Sequence, residues 1–241
     1  MNRMLWSSNL GTCLMGLTIG LSVIGSIITP TLAQGRLVFK PTSTGAPGNR
    51  ESGANRSGAC AQSDQGLVAL MPANNLAQTT ASHPIMYAYF PASTAQFAEF
   101  ALYEEGSDEL VYGALFNVTG NSGLVTVDVP DRATVSPLQI GQRYYWYLSL
   151  ICNVRERASD MTVQGSFERV NSVNLDEQLL GASVGQQPYI YAEAGLWPET
   201  LTSLVEASRN NPATAQQDFK DLLQSVGLET LANEALLPLT P

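Results

Sequence analysis

Between Arg143 and Cys152 the chain alternates with a period of two. Tyr144, Trp146, Leu148, Leu150 and Cys152 fall on one side of an extended strand, and Arg143, Tyr145, Tyr147, Ser149 and Ile151 on the other. A strand with one side this apolar has to be covered by a second layer. Shorter strand patterns recur on either side of it. Leu67–Met71 ends at Pro72, and Ile85–Phe90 lies between Pro84 and Pro91. Phe97–Tyr103, Leu110–Val118, Leu124–Val129 and Met161–Val170 complete the series, separated by turns rich in Gly, Pro, Asn and Asp. Short strands at this spacing predict an antiparallel β-sandwich.

One local pattern narrows the prediction. Leu138, Gly141 and Tyr144 lead into the long strand as Leu-x-x-Gly-x-x-Tyr. This resembles the tyrosine corner of immunoglobulin-like and fibronectin type III sandwiches, in which a tyrosine hydroxyl bonds to upstream backbone. The expected fold is therefore mainly β, an immunoglobulin- or fibronectin-like sandwich spanning residues 64–172.

After Val170 the period changes to that of helices. Asn174–Ser183 predicts one short helix, and Pro198–Ser208 spaces Leu201, Leu204, Val205 and Ser208 along one face. Asn211 and Pro212 have the residue types of an N-cap and first helical position. The helix they open places Phe219, Leu222, Leu223 and Val226 on one stripe and stops at Gly227, and Leu228–Leu237 predicts a last short helix. Residues 173–241 thus read as a helical cap whose apolar stripes cover the sandwich.

The N-terminal 33 residues have the three parts of a cleavable secretory signal: Arg3, the apolar run Leu14–Ile28, and Thr31 and Ala33 before a cut at Gln34. The apolar run is 15 residues long, against about 20 for a membrane-spanning helix. Residues 34–63 are rich in Gly, Ser, Asn and Pro and read as a flexible arm. The formal charge of the whole chain is −9, and removal of Arg3 makes it one unit more negative. Such a chain repels phosphate backbones, which argues against nucleic-acid binding. Cys60 and Cys152 are the only cysteines beyond the signal. In an oxidising compartment they read as one disulfide, the alternative being two buried thiols.

Candidate chemistry is sparse. His83 is the only histidine, and its place beside Pro84 at a strand start fits a turn better than a catalytic triad. One His and two distant Cys lack zinc-ligand spacing. Glu104, Glu105, Asp108 and Glu109 form an acidic turn without the alternation of a calcium loop. Asp128, Asp131, Asp160 and Glu168 are available for glycan hydrolysis, but nothing in the sequence pairs two of them. Arg155, Arg157 and Arg169 are expected to pair with neighbouring acids. No cofactor motif occurs. The aromatic residues are the most informative group. Tyr145, Tyr147 and Trp197 are candidates for a common binding face, the competing role being core packing.

Several short motifs occur in order: Gly58–Ala59–Cys60; His83–Pro84 before an aromatic strand ended by Pro91; Tyr144-x-Trp146 with Cys152; Gly165-x-x-Glu168–Arg169–Val170; and Gly195-x-Trp197. Together they resemble the cyanobacterial family called domain of unknown function 928. The resemblance implies a secreted or periplasmic protein and carries no assigned activity. The expected function is an exported, non-enzymatic binding or structural module of the cell envelope, in the periplasm or outside the cell. Its expected partner is a glycan or another envelope protein. The alternative is a carboxylate-dependent, glycan-directed hydrolase.

Overall fold

The computed structural model describes residues 35–41, 44–52 and 60–239. The predicted signal segment 1–33 lies outside the described residues. Among the described residues, eight strands and four helices follow one another: β1 (Val68–Ala69), β2 (Leu76–Thr79), β3 (Ile85–Phe90), β4 (Phe97–Glu104), β5 (Leu110–Asn117), β6 (Gly123–Asp128), β7 (Arg143–Ile151), β8 (Met161–Arg169), α1 (Leu175–Leu179), α2 (Gln187–Glu193), α3 (Trp197–Asn210) and α4 (Pro212–Ser225). The fold is β-rich with C-terminal helices, as the change of period at Val170 predicts.

The strands form two sheets, ordered β1-β3-β6 and β2-β8-β7-β4-β5. All pairs are antiparallel except β2 with β8, which run parallel with Leu76 opposite Ser166. The sequence pattern predicts no strand at β2. Its four residues are too few to set a period, and they are held by pairing with a strand 90 positions away. The alternation in β7 holds throughout: Tyr144, Trp146, Leu148 and Leu150 are buried, joined by Phe100 and Leu102 from β4 and Val163 and Phe167 from β8. Residues of both sheets and of α2, α3 and α4 share one buried core.

Trp146 sets a steric condition inside this core. It pairs with Gly165 on β8. A Cβ built at Gly165 would lie 2.6 Å from the indole, closer than real side chains come. The missing side chain is what admits the tryptophan. Tyr144 makes the bond its sequence context predicts, its hydroxyl accepting the Gln139 N–H at 2.8 Å.

Helix α3 packs against β2 and β3. Leu196 pairs in parallel with Gln78. Glu199 on α3 secures the end of β2: its Oε1 accepts the Thr80 N–H at 2.7 Å and the Thr79 hydroxyl at 2.7 Å. Tyr87 on β3 hydrogen-bonds Thr202 on α3 at 3.1 Å. The Asn211 side chain caps α4 by accepting the Thr214 N–H at 3.3 Å. At the other end Gly227 takes a positive φ of 74°, and Leu228 N–H reaches back to the Leu223 carbonyl at 2.8 Å. That is the Schellman closure for which glycine is best suited. Where Leu228–Leu237 predicts a helix, only a single 3₁₀ turn at Glu229–Leu231 forms. The chain then extends alongside β6, with the Leu124 N–H bonded to the Ala235 carbonyl at 2.7 Å and the Leu237 N–H to the Leu124 carbonyl at 2.6 Å.

The described part of the arm is closely attached to the rest. Leu37 and Phe39 are buried. The Lys40 N–H bonds the Ala192 carbonyl at 3.1 Å, and the Phe39 N–H bonds Ser225 Oγ at 3.2 Å. Arg50 donates to the carbonyls of Met71 at 3.2 Å and Val226 at 2.9 Å. Further along, Cys60 and Cys152 form a disulfide with Cα atoms 5.2 Å apart. It joins the end of the arm to the end of β7. No helix among the described residues is long and apolar enough to cross a membrane.

Candidate functional site

Strand register brings tyrosines together on the outer side of the five-stranded sheet. In the β4–β7 pair, Tyr103 stands opposite Tyr145 and Ala101 opposite Tyr147. Because Leu102, Tyr144 and Trp146 point inward, these neighbours point outward. Tyr103 and Tyr145 stack with centroids 5.3 Å apart and planes 16° from parallel. Tyr147 meets both edge-on, 5.8 Å from Tyr145 and 6.3 Å from Tyr103. Offset stacks and edge contacts are the arrangements that ring quadrupoles favour.

One ring is fixed by a charge. Tyr145 Oη donates to Asp108 Oδ1 at 2.7 Å. This bond to a carboxylate, helped by desolvation, pushes the Tyr145 pKa up to about 12. Asp108 sits in the acidic turn after β4, with a positive φ of 56°. That turn is tied to the start of β7: the Glu105 N–H bonds the Arg143 carbonyl at 2.9 Å, and Gln142 Nε2 donates to the Glu105 carbonyl at 2.9 Å. The acidic turn thus acts as a brace for the aromatic cluster.

The surface beside the rings is low and apolar. Ala101 is flanked by Tyr147 on one side and Gly113 of β5 on the other. Leu115 and Leu110 on β5 are 52% and 54% exposed, and Tyr147 is 37% exposed. Ion pairs bound the face: Arg143 with Glu168 at 3.4 Å near the stacked rings, and Arg157 with Glu99 at 2.6 Å farther along β4. Flat rings beside an apolar floor, with a polar rim, suit stacking against a planar or ring-shaped ligand.

Trp197 lies elsewhere. It is 1% exposed at the start of α3, its Nε1–H donates to the Leu70 carbonyl at 2.6 Å, and its ring meets Phe39 edge-on at 4.8 Å. Of the three aromatic residues singled out in the sequence, Tyr145 and Tyr147 share a surface and Trp197 is in the core. Tyr103 and Asp108 complete the surface and were not singled out as binding residues. Pairing β4 with β7 in register would have found Tyr103.

The remaining candidates have mostly structural partners. Arg169 donates to the carbonyls of Thr80, at 3.2 Å, and Leu138. Asp160 accepts the Cys152 N–H at 3.0 Å and pairs with Arg157. Glu168 pairs with Arg143. Asp131 lies 3.9 Å from His83 Nδ1, and Asp128 is at the exposed end of β6. Among the described residues, no group of three or more His, Cys, Asp and Glu side chains is placed to hold a metal ion.

The architecture defines a β-rich protein with a C-terminal helical segment and an aromatic patch on its larger sheet. A family model, Domain of Unknown Function (DUF928), matches residues 51–236, so the chain belongs to that family. The match spans both sheets and the helices. Neither the curated proteins nor the solved structures contain a match to this chain.

Proposed function

We propose that this protein is an exported, non-enzymatic binding module of the cell envelope. Its ligand surface is the Tyr103–Tyr145–Tyr147 patch, and its partner is an envelope glycan. The observation that carries this reading is the braced, solvent-facing tyrosine cluster beside the apolar strip of β5. Three rings on the outer side of a sheet do nothing for the core. Carbohydrate ring faces offer the flat C–H surface that such rings bind, and the phenol hydroxyls add polar contacts.

The scaffold fits an immunoglobulin- or fibronectin-like sandwich. In that nomenclature β1-β3-β6 corresponds to A-B-E and β8-β7-β4-β5 to G-F-C-C′. The Tyr144–Gln139 bond at the start of β7 matches the tyrosine corner expected on strand F. The reading divides the chain into a signal at 1–33, an arm at 34–63, the sandwich at 64–172 and the helical region at 173–241. Export to the periplasm or beyond is supported by the signal-like N-terminus and by the Cys60–Cys152 disulfide, which an oxidising compartment favours. N-terminal sequencing of protein recovered from the envelope should begin at Gln34. A chain retained in the cytoplasm with Met1 intact would overturn the export reading.

Binding is tested with purified envelope polysaccharide and residues 34–241. Wild-type protein should be retained, and Tyr147→Ala should weaken retention about five- to tenfold, the loss expected for one stacking ring. Equal binding by Tyr147→Ala and Tyr103→Ala would overturn the assignment of the surface. Release of new reducing ends would favour the carboxylate-hydrolase reading instead.

A further inference from the structure

Each of the two sheets has two end strands, and among the described residues three of these four are covered. Glu51 bridges to Val68 on β1, Leu196 to Gln78 on β2, and Leu236 to Leu124 on β6. β5 ends the larger sheet beyond β4. No described backbone segment bridges to its other side. Native proteins usually blunt such an edge with a charge, a proline, a bulge or a very short strand. β5 is eight residues long and contains neither a charge nor a proline. Its pairing with β4 shifts register only at Leu102/Tyr103, so Tyr112–Asn117 run without a break.

Backbone alternation shows what this edge offers. The Val118 N–H bonds the Gln96 carbonyl at 3.0 Å. Counting back by two, Phe116, Ala114 and Tyr112 turn their N–H and C=O groups toward β4. Asn117, Leu115 and Gly113 turn theirs away from it. Leu115 and Leu110 are exposed beside these free groups. A Cβ at Gly113 would lie 3.7 Å from the Leu110 side chain, so that leucine leans over the glycine.

The charge pattern identifies the partner. From Leu110 to Val127 no residue is charged, whereas Glu104, Glu105, Asp108 and Glu109 crowd the turn before β5. A second copy paired in parallel would set two acidic turns side by side, where they repel. Paired antiparallel, each acidic turn lies beside the uncharged turn that follows the other copy's β5. Shape favours the same arrangement. With Ala114 opposite itself, each Leu115 faces the other copy's Gly113 and meets its Leu110. Large side chains then oppose a small one, and the exposed leucines of both strands are covered.

We propose that two copies of this chain pair antiparallel through β5, joining their larger sheets into one continuous sheet about a two-fold axis at Ala114. The pairing uses main-chain groups in the plane of the sheet and leaves the faces of Tyr103, Tyr145 and Tyr147 open. It does not depend on what those rings bind.

The test measures the mass of residues 34–241 by sedimentation equilibrium. At about 10 µM the protein should have twice the mass of one chain. Hydrogen exchange should find the Gly113 and Leu115 amides protected in the dimer and fast after dilution. Leu115 is exposed, so Leu115→Lys should keep the fold while weakening association at least about tenfold. Gly113→Pro removes an outward N–H without touching a bond to β4, and it should give a monomer. Thermal melts check that both variants fold. Tyr147→Ala should dimerise as the wild type does. A single-chain mass at every concentration up to about 100 µM would overturn the proposal. So would a dimer in which both amides exchange freely, or unchanged association of a folded Leu115→Lys.

Discussion

Gly165 faces the indole of Trp146 across the β7–β8 pair so closely that a Cβ at residue 165 would fall 2.6 Å from the ring. Trp146 is 1% exposed and has no space into which to withdraw. Gly165→Ala should therefore destabilise the protein by about 1–3 kcal/mol, the usual cost of overpacking a filled core. Chemical denaturation measures it. In a Trp146→Phe background the same substitution should cost less, because the two residues share one volume.

The Tyr145–Asp108 bond makes a prediction about ionisation. Asp108→Asn keeps an acceptor but removes the charge, so the Tyr145 pKa should fall from about 12 toward the ordinary 10.0. Phenolate absorbance across an alkaline titration, compared with Tyr145→Phe, isolates this one ring. An unchanged titration would mean that the carboxylate does not hold the hydroxyl in solution.

Tyr87 behaves differently, because burial is the main cause of its raised pKa. The value climbs from 10.0 to about 12, chiefly by desolvation and partly offset by the Thr202 bond. The folded value lies above the unfolded one. The neutral phenol's contribution is therefore complete below pH 10 and is lost as pH climbs through about 12. A rise of this size is worth about 3 kcal/mol. Stability should fall steeply over that window, and Tyr87→Phe should flatten the fall. Denaturation midpoints at a series of alkaline pH values test this.

The Cys60–Cys152 bridge spans 92 positions. Constraint of so long a loop in the unfolded chain stabilises a fold by at most about 4–5 kcal/mol. Cys152→Ser should lower the melting temperature and remove its dependence on reductant. Intact protein should resist alkylation at both cysteines until it is reduced.

Local chemistry was the legible part of this fold. The faces of β7, the limits of β3, the Asn211 cap and the Gly227 stop each depend on neighbours within a few positions, and each can be read from the chain. What escaped reading depends on distant partners. β2 is a strand because β8 is there to pair with it. α2, only seven residues long, has too few turns to display a period. Leu37 and Phe39 look like a short apolar patch in a polar arm, and they become core through partners far along the chain, as where Phe39 meets Trp197. The aromatic surface divides in the same way. Alternation put Tyr145 and Tyr147 on one side of β7, but Tyr103 joined them through strand register. Trp197 was misleading for the same reason: an indole at a helix start is equally able to face outward, and the carbonyl of Leu70, just past β1, draws it in.

The segment that runs beside β6 after the last helical turn has a bearing on solubility. Its bonds to both backbone groups of Leu124 occupy main-chain positions on an otherwise open border of the three-stranded sheet. An uncovered border of this kind is a template on which further copies can add by main-chain pairing. Trimming the chain before Ala235 would leave that template bare and favour self-association, even though the buried core up to Ala232 was still in place.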